Sequence, residues 1–302
     1  MKSILEEVGV SKQAFAQHKV QEQDADLHRH WVINQILEKH RQHPVMGLKK
    51  IFKSLVKSLV VPLVGRDKFI EIGMDANLNI SLPKNYTRTT FSTKSKRYQN
   101  LLVDKAFDDI NQIWVTDITY FRIGESFAYI CFLMDVYSRR IIGFQTATSL
   151  HAQLCMDTLN RALKTRKTED YQGQLIHHSD RGTQYIFNDY TNLLDKKNIQ
   201  ISMCNSAYEN AHMERLNGIV KNEYLIHYNI KSFEHLQKML PKAVKAYNED
   251  RIHWELANYL CPNQFELALN ELPKCQRTIL NIFVEEKTRT FQELLKNQLV
   301  LF

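Results

Sequence analysis

The chain lacks a C-x-x-C pair, an apolar run of membrane length, and any acid between Ala76 and Val103. Each absence excludes something. The five cysteines (Cys131, Cys155, Cys204, Cys261 and Cys275) are an odd number with no paired spacing, so no disulfide framework is expected and idle thiols in a reducing compartment are. Without a C-x-x-C, the front histidines His28, His30, His40 and His43 do not make a zinc module. The longest apolar runs, such as Leu59 to Val64, fall far short of the ~20 residues a membrane span needs. MKSILEEVGVSKQ carries acids where a secretion signal wants apolar residues, which predicts a cytoplasmic protein.

What is present begins with charge. The 302 residues carry a net +7, unevenly placed. Residues 1–100 hold 17 Lys and Arg against 9 Asp and Glu, whereas the remainder is nearly balanced. The acid-free stretch contains Lys84, Arg88, Lys94, Lys96 and Arg97. Such a block suits a polyanion, because neutralised phosphates release condensed counterions. Lys94, Lys96 and Arg97 are therefore candidate DNA contacts.

Length and pattern predict an all-α front region over 1–80, a basic linker over 81–110, a catalytic core over 111–266 and a tail over 267–302. In the front, residues 3–20 read as two short helices around Gly9, resembling a helix-turn-helix, and 29–42 as another with Trp31, Ile33, Ile36 and Leu37 at helical spacing. Helices also follow Pro44 and Gly65, the latter with Phe69, Ile72 and Met74 as apolar positions. From residue 111 the pattern changes. NQIWVTDITYFRI, SFAYICFLMDVYS and RRIIGFQTAT are β-branched and aromatic, and read as an antiparallel meander. Helices near 151–167, 188–198, 207–228 and 232–250, with strands QLIHH and IQISMC, give the order βββαβαβα, a mixed α/β sheet with flanking helices. FQELLKNQLV reads as a terminal amphipathic helix.

Two acids stand where acids are costly. Asp117 interrupts an otherwise apolar strand, and Asp180 follows directly on strand QLIHHS, where α/β sheets gather ligands. If those strands are neighbours, the carboxylates converge on an all-oxygen site for a hard divalent cation. A third acid has three candidates in SAYENAHMERLNGIVKNEY. Ser206 and Glu209 fit a capping box. Glu223 lies near the helix end and reads as solvated. Glu214 is mid-helix, with Asn210, Asn217 and Lys221 on the same face, either a catalytic face or a solvent-facing one. Asp135 reads as structural, His177 and His178 as packing or lining, and Trp114 as core.

NQIWVTDITYF, IHHSDRGTQY and NAHMERLNGIVKNEY together resemble the catalytic core of bacterial insertion-sequence transposases, of the second-reading-frame (OrfB) type with a retroviral-integrase-like core. Between Asp117 and Asp180 there are 62 residues, and between Asp180 and Glu214 33, followed by Lys221 seven residues on. That matches the family's D, D, E pattern and trailing base. Residues from about 3 to 265 share the resemblance. His212, Arg215 and Leu216 depart from residues common in the family.

The resemblance implies an RNase H-like five-stranded sheet behind a small helical domain. It implies Asp117, Asp180 and Glu214 as ligands of two Mg²⁺ ions, with Mn²⁺ substituting. It further implies Lys221, Asn210 and Asn217 near DNA, terminal inverted repeats and target DNA as partners, and a homo-oligomer. An upstream-frame product is the implied protein partner or fusion. The implied activity is DNA cleavage at the element's ends and strand transfer. A hydrolytic nuclease and a DNA-binding remnant are the rival readings.

Overall fold

The computed structural model describes residues 11–58, 60, 62–80, 97–167, 174–204 and 207–282. Lys94, Lys96, Ser206 and the helix expected in FQELLKNQLV lie outside these residues, as does the turn expected at Gly9. The chain forms two compact units, Met1–Lys84 and Asn85–Phe302.

The first unit is helical. α1 (Lys12–Gln42) is followed by α2 (Leu48–Lys57) and α3 (Arg66–Asp75). The separate helices expected around 3–20 and 29–42 are one helix of 31 residues from Lys12 onward, begun by Ser11, whose side chain accepts from the Ala14 N–H. The joining stretch QEQDADLHRH holds no Gly or Pro, so nothing interrupts the backbone ladder. Val32 and Ile36 meet Leu48, Ile51, Leu55, Phe69 and Ile72 in a small core. Of the apolar positions read in these helices, Leu37 and Met74 are 43% and 56% exposed. His30 and His40 spend a ring nitrogen each on the backbone carbonyls of Asp26 and Met46.

The second unit holds β1 (Ala106–Phe107), β2 (Ile113–Ile123), β3 (Ser126–Asp135), β4 (Ile141–Ala147), α4 (Ala152–Arg166), β5 (Ile176–Ser179), α5 (Asn188–Lys196) and β6 (Gln200–Met203). Then come α6 (Ala211–Ile219), α7 (Phe233–Glu249), α8 (Pro262–Glu271) and β7 (Leu280–Asn281), the last pairing antiparallel with β1. Thus residues past 266 complete a helix and a strand of this unit.

The five-stranded sheet runs β4-β3-β2-β5-β6, with β2, β3 and β4 antiparallel and β5 and β6 parallel to β2. Gly124, at φ 60, makes the β2–β3 turn in a backbone region that favours glycine. This mixed sheet with helices on both faces is the RNase H-like arrangement expected. Alternation along β2 and β3 sends Val115, Phe132 and Met134 towards Met213, Leu216, Val220, Leu240 and Val244. It sends Trp114, Cys131 and Leu133 towards Leu154, Leu159, Tyr190 and Leu194. Trp114 is fully buried core, as expected. Gly143 lets α4 lie close on β4, since a Cβ there would stand 2.4 Å from the Thr158 carbonyl oxygen.

The helix expected over 207–228 is instead four joined pieces. A 3₁₀ turn (Ala207–Asn210) leads into α6, then a π turn (Val220–Tyr224) and a second 3₁₀ turn (Leu225–Tyr228), closed by left-handed Asn229. Asn210 departs from helical dihedrals and gives its amide to the Thr116 carbonyl instead of capping α6.

Candidate active site

β2 and β5 are adjacent and parallel, with Val115 opposite His178. That register carries Asp117 level with Asp180, the residue that follows the last of β5. β5 ends there, so the edge of β2 beyond Val115 is open on that side. The Asn217 amide donates to Asp117 Oδ2 at 2.7 Å, and the Gly182 N–H donates to Asp180 Oδ1 at 3.0 Å. A Cβ on Gly182 would come to 3.0 Å from that same oxygen, so a larger residue there would push on the Asp180 carboxylate. Arg181 fixes the loop by donating to the carbonyls of Cys204 and Tyr98.

The electrostatics of the pair are unfavourable by construction. Burial, and then the charge of Asp180, hold the Asp117 carboxyl well above the usual carboxylate range, against the smaller help of Asn217. Burial likewise raises Asp180, while the Gly182 N–H lowers it. Asn217 Oδ1 is buried and has no hydrogen-bond partner among the described residues. Two mutually repelling carboxylates beside an unmatched amide oxygen form a hard, all-oxygen donor set, which fits a divalent cation.

Glu214 lies in the first turn of α6 and is exposed. Asn210 and Asn217, four before and three after it, are buried and reach β2, so α6 lies against the edge that carries Asp117. Both amides expected to meet DNA are thus committed inside the protein. Among the described residues no three His, Cys, Asp or Glu side chains stand together as a metal cluster. The structure brings Asp117 and Asp180 together and leaves Glu214 outside that pair.

Lys221 falls in the π turn, so its seven-residue offset from Glu214 is not two α-helical turns. Its Nζ stands 5.3 Å from the centre of the Tyr120 ring. Burial lowers its pKa, while Tyr120 and Asp117 pull it back up. Arg97 is exposed, its guanidinium 5.4 Å from the Tyr98 ring centre.

The other two glutamates have partners. Glu209 accepts from the Asn100 side-chain amide at 2.6 Å. Glu223, expected in solvent, is instead gripped by Arg251 through two bonds of 2.7 and 2.8 Å. Sequence spacing cannot see Arg251, which arrives from beyond α7. His177 bonds Tyr190 and His178 bonds Ser202. Burial pushes them down to about 3 and about 4, so both are neutral packing residues.

An integrase core domain family model matches residues 109–208, and a second of the same description matches 197–262. Together they run over 109–262, half of the chain. The chain belongs to the insertion-sequence transposases with an integrase core. Among its relatives, the insertion element IS600 uncharacterized 31 kDa protein of Shigella sonnei is 28% identical over 223 residues, 72% of this chain and 80% of that relative. A putative transposase for IS986/IS6110 of Mycobacterium tuberculosis is 34% identical over 144 residues, 46% of this chain and 52% of its own. Transposase InsF for IS3A of Escherichia coli is 34% identical over 160 residues, 52% of this chain and 54% of its own. The chain thus spans about half the length of the last two. A solved HTLV-2 integrase catalytic core in complex with magnesium is 16% identical, with a TM-score of 0.42 over 52% of this chain and 97% of that one. The integrase core models and the transposase relatives make DNA transposition and integration the function class of this chain. No helix among its described residues is long and apolar enough to cross a membrane.

Spacing alone gave no sign of Tyr120 beside Lys221, nor that Asn217 orients Asp117. An Asn three residues after an acid on a helix facing a sheet is the one signal available, and it reads equally as solvent-facing.

Proposed function

We propose that this transposase cuts DNA at the terminal inverted repeats of its element and joins the freed 3′ ends to target DNA, using Asp117, Asp180 and Glu214. The observation that carries the reading is the pairing of Asp117 and Asp180 on adjacent parallel strands, level with each other and raised in pKa. Such a pair is costly unless a ligand neutralises it. Asp117 and Asp180 with Glu214 would hold divalent ions, Mg²⁺ or Mn²⁺, which would supply Lewis acidity for phosphodiester cleavage.

The chain's own residues do the rest. Asn217 holds the Asp117 carboxylate in place, and the Gly182 N–H holds Asp180. Glu214 stands on α6, the helix whose Asn217 reaches Asp117 and whose N-cap Asn210 reaches β2, and is the third acid of the proposed site. The Lys221 ammonium stands in the field of Asp117 and meets a phosphate beside the cleaved bond. In joining, the 3′ hydroxyl oxygen forms a new bond to a target phosphorus, the target's own P–O bond breaks, and the leaving oxygen takes up a proton. The basic front third and Arg97 track the DNA backbone. Two ends must be held at once, so a homo-oligomer is the working form, with an upstream-frame product as partner or fusion. The front helical region over 1–80 is the proposed DNA-binding part, joined by the basic stretch to the core.

A labelled terminal-repeat duplex incubated with the protein, target DNA and Mg²⁺ should yield joined product. Cleavage without joining would make the chain a nuclease, and binding with neither would make it a remnant.

A further inference from the structure

The far end of the β2–β3 hairpin carries an unusual surface. Tyr120 and Tyr129 are paired across the strands, as are Arg122 and Phe127, and alternation puts all four side chains on one face. The Phe127 ring is 48% exposed and meets the Tyr120 ring edge-on, with centroids 5.6 Å apart. Arg122 is exposed beside it. Lys221 has its Nζ 5.3 Å from the Tyr120 ring centre and within the electrostatic reach of Asp117. One cation therefore joins the aromatic surface to the proposed catalytic pair.

We propose that the exposed Phe127 ring, braced edge-on by Tyr120, stacks on one unpaired nucleobase of the DNA strand being cut, next to the phosphate that Lys221 holds. The inference rests on the strand-transfer reading above and names how its substrate is held. A ring face can meet a base face only when that base has left the duplex stack, which selects single-stranded or frayed DNA. Charge complementarity supports the occupant: Lys221 and Arg122 flank the rings with positive charge, and a nucleotide presents a phosphate and a π-face together. A protein partner would gain from the exposed ring but does not call for the ammonium beside it. Phe127 is exposed and makes little of the core, so its replacement leaves the fold standing.

The test uses the full chain without divalent ion and a terminal-repeat duplex carrying 2-aminopurine in a short single-stranded extension at the cleaved end. The wild type should quench the probe on binding. Phe127→Ala should remove most of the quenching and weaken binding of this DNA roughly ten-fold. A fully paired duplex should lose little, and Phe127→Trp should restore both signals. Equal quenching and affinity for wild type and Phe127→Ala would overturn the proposal. So would a change of oligomeric state in Phe127→Ala with DNA binding unaltered, which would make the patch a protein interface. Asp117→Asn separates the two readings, because it should abolish joining yet keep the quenching. A wild type that quenches through Phe127 but never joins DNA would leave the platform standing and overturn strand transfer instead.

Discussion

The second unit holds two groups of acids, buried Asp135 and Glu266 and half-buried Asp117 and Asp180, and the sheet treats them differently. Asp135, at the end of β3, accepts from the N–H groups of Asn111, Tyr137 and Ser138 and faces Arg166 at 3.6 Å. Glu266 of α8 pairs with both Arg140 and Arg166. Here two acids meet two guanidiniums, and every charge is matched. At the open edge of β2, Asp117 and Asp180 face each other with one amide, one N–H and a nearby ammonium. The difference separates an acid kept for structure from an acid kept for a ligand. Burial alone does not, since it raises Asp117, Asp180 and Asp135 alike.

The largest expected effect breaks the unmatched pair. Asp117→Asn and Asp180→Asn should each lower strand cleavage on the order of a thousand-fold or more, as loss of a metal ligand costs several kcal/mol at the transition state. Gel assays of labelled ends measure it. If either variant cut at near-normal rate, the site assignment would fall. The matched group should answer the other way. Glu266→Ala strands Arg140 and Arg166 in the interior and should cost about 3–5 kcal/mol, read as a lower urea midpoint.

A pH series sharpens the contrast. The folded pKa of Asp117 lies above its unfolded value of about 3.9, so its ionisation costs stability. That cost is absent below about pH 3.9 and complete above the folded pKa. Without divalent ion, Asp117→Asn should therefore melt roughly 2–4 °C above wild type at neutral pH, with the gap closing as pH falls. Glu266 is lowered by Arg166, so its contribution stands above its unfolded value and is lost as pH falls. A wild type that melts above Asp117→Asn at pH 7 without metal would contradict the repulsion argued for the pair.

Much of this contrast is visible in the sequence and part is not. The strand meander, the helix–strand alternation and the positions of Asp117 and Asp180 follow from β-branched runs and from charges interrupting them. Adjacency of β2 and β5 does not, because strand order is a property of the folded sheet. The same limit hid Arg251 behind Glu223, for a partner 28 residues away leaves no periodic trace. Unbroken helical propensity merged two expected front helices. A side chain's competing bond, from Asn210 to Thr116, split the 207–228 helix that propensity favours.

The last comparison, of stability, runs over the glutamates along that broken helix, from the largest cost to the smallest. Glu223→Gln removes the charge that faces buried Arg251 and should cost about 2–4 kcal/mol of stability, with DNA binding retained. Glu209→Gln keeps an acceptor for Asn100 and should cost only about 0.5–1.5 kcal/mol. Glu214 is exposed at the start of α6, so Glu214→Gln should leave the melting curve within about 0.5 kcal/mol of wild type. Its effect should appear in cleavage alone, which makes it the cleanest separation of chemistry from fold in the molecule. A Glu214→Gln protein that is unstable, or that still cuts, would show that α6 carries Asn217 to the site and no acid with it.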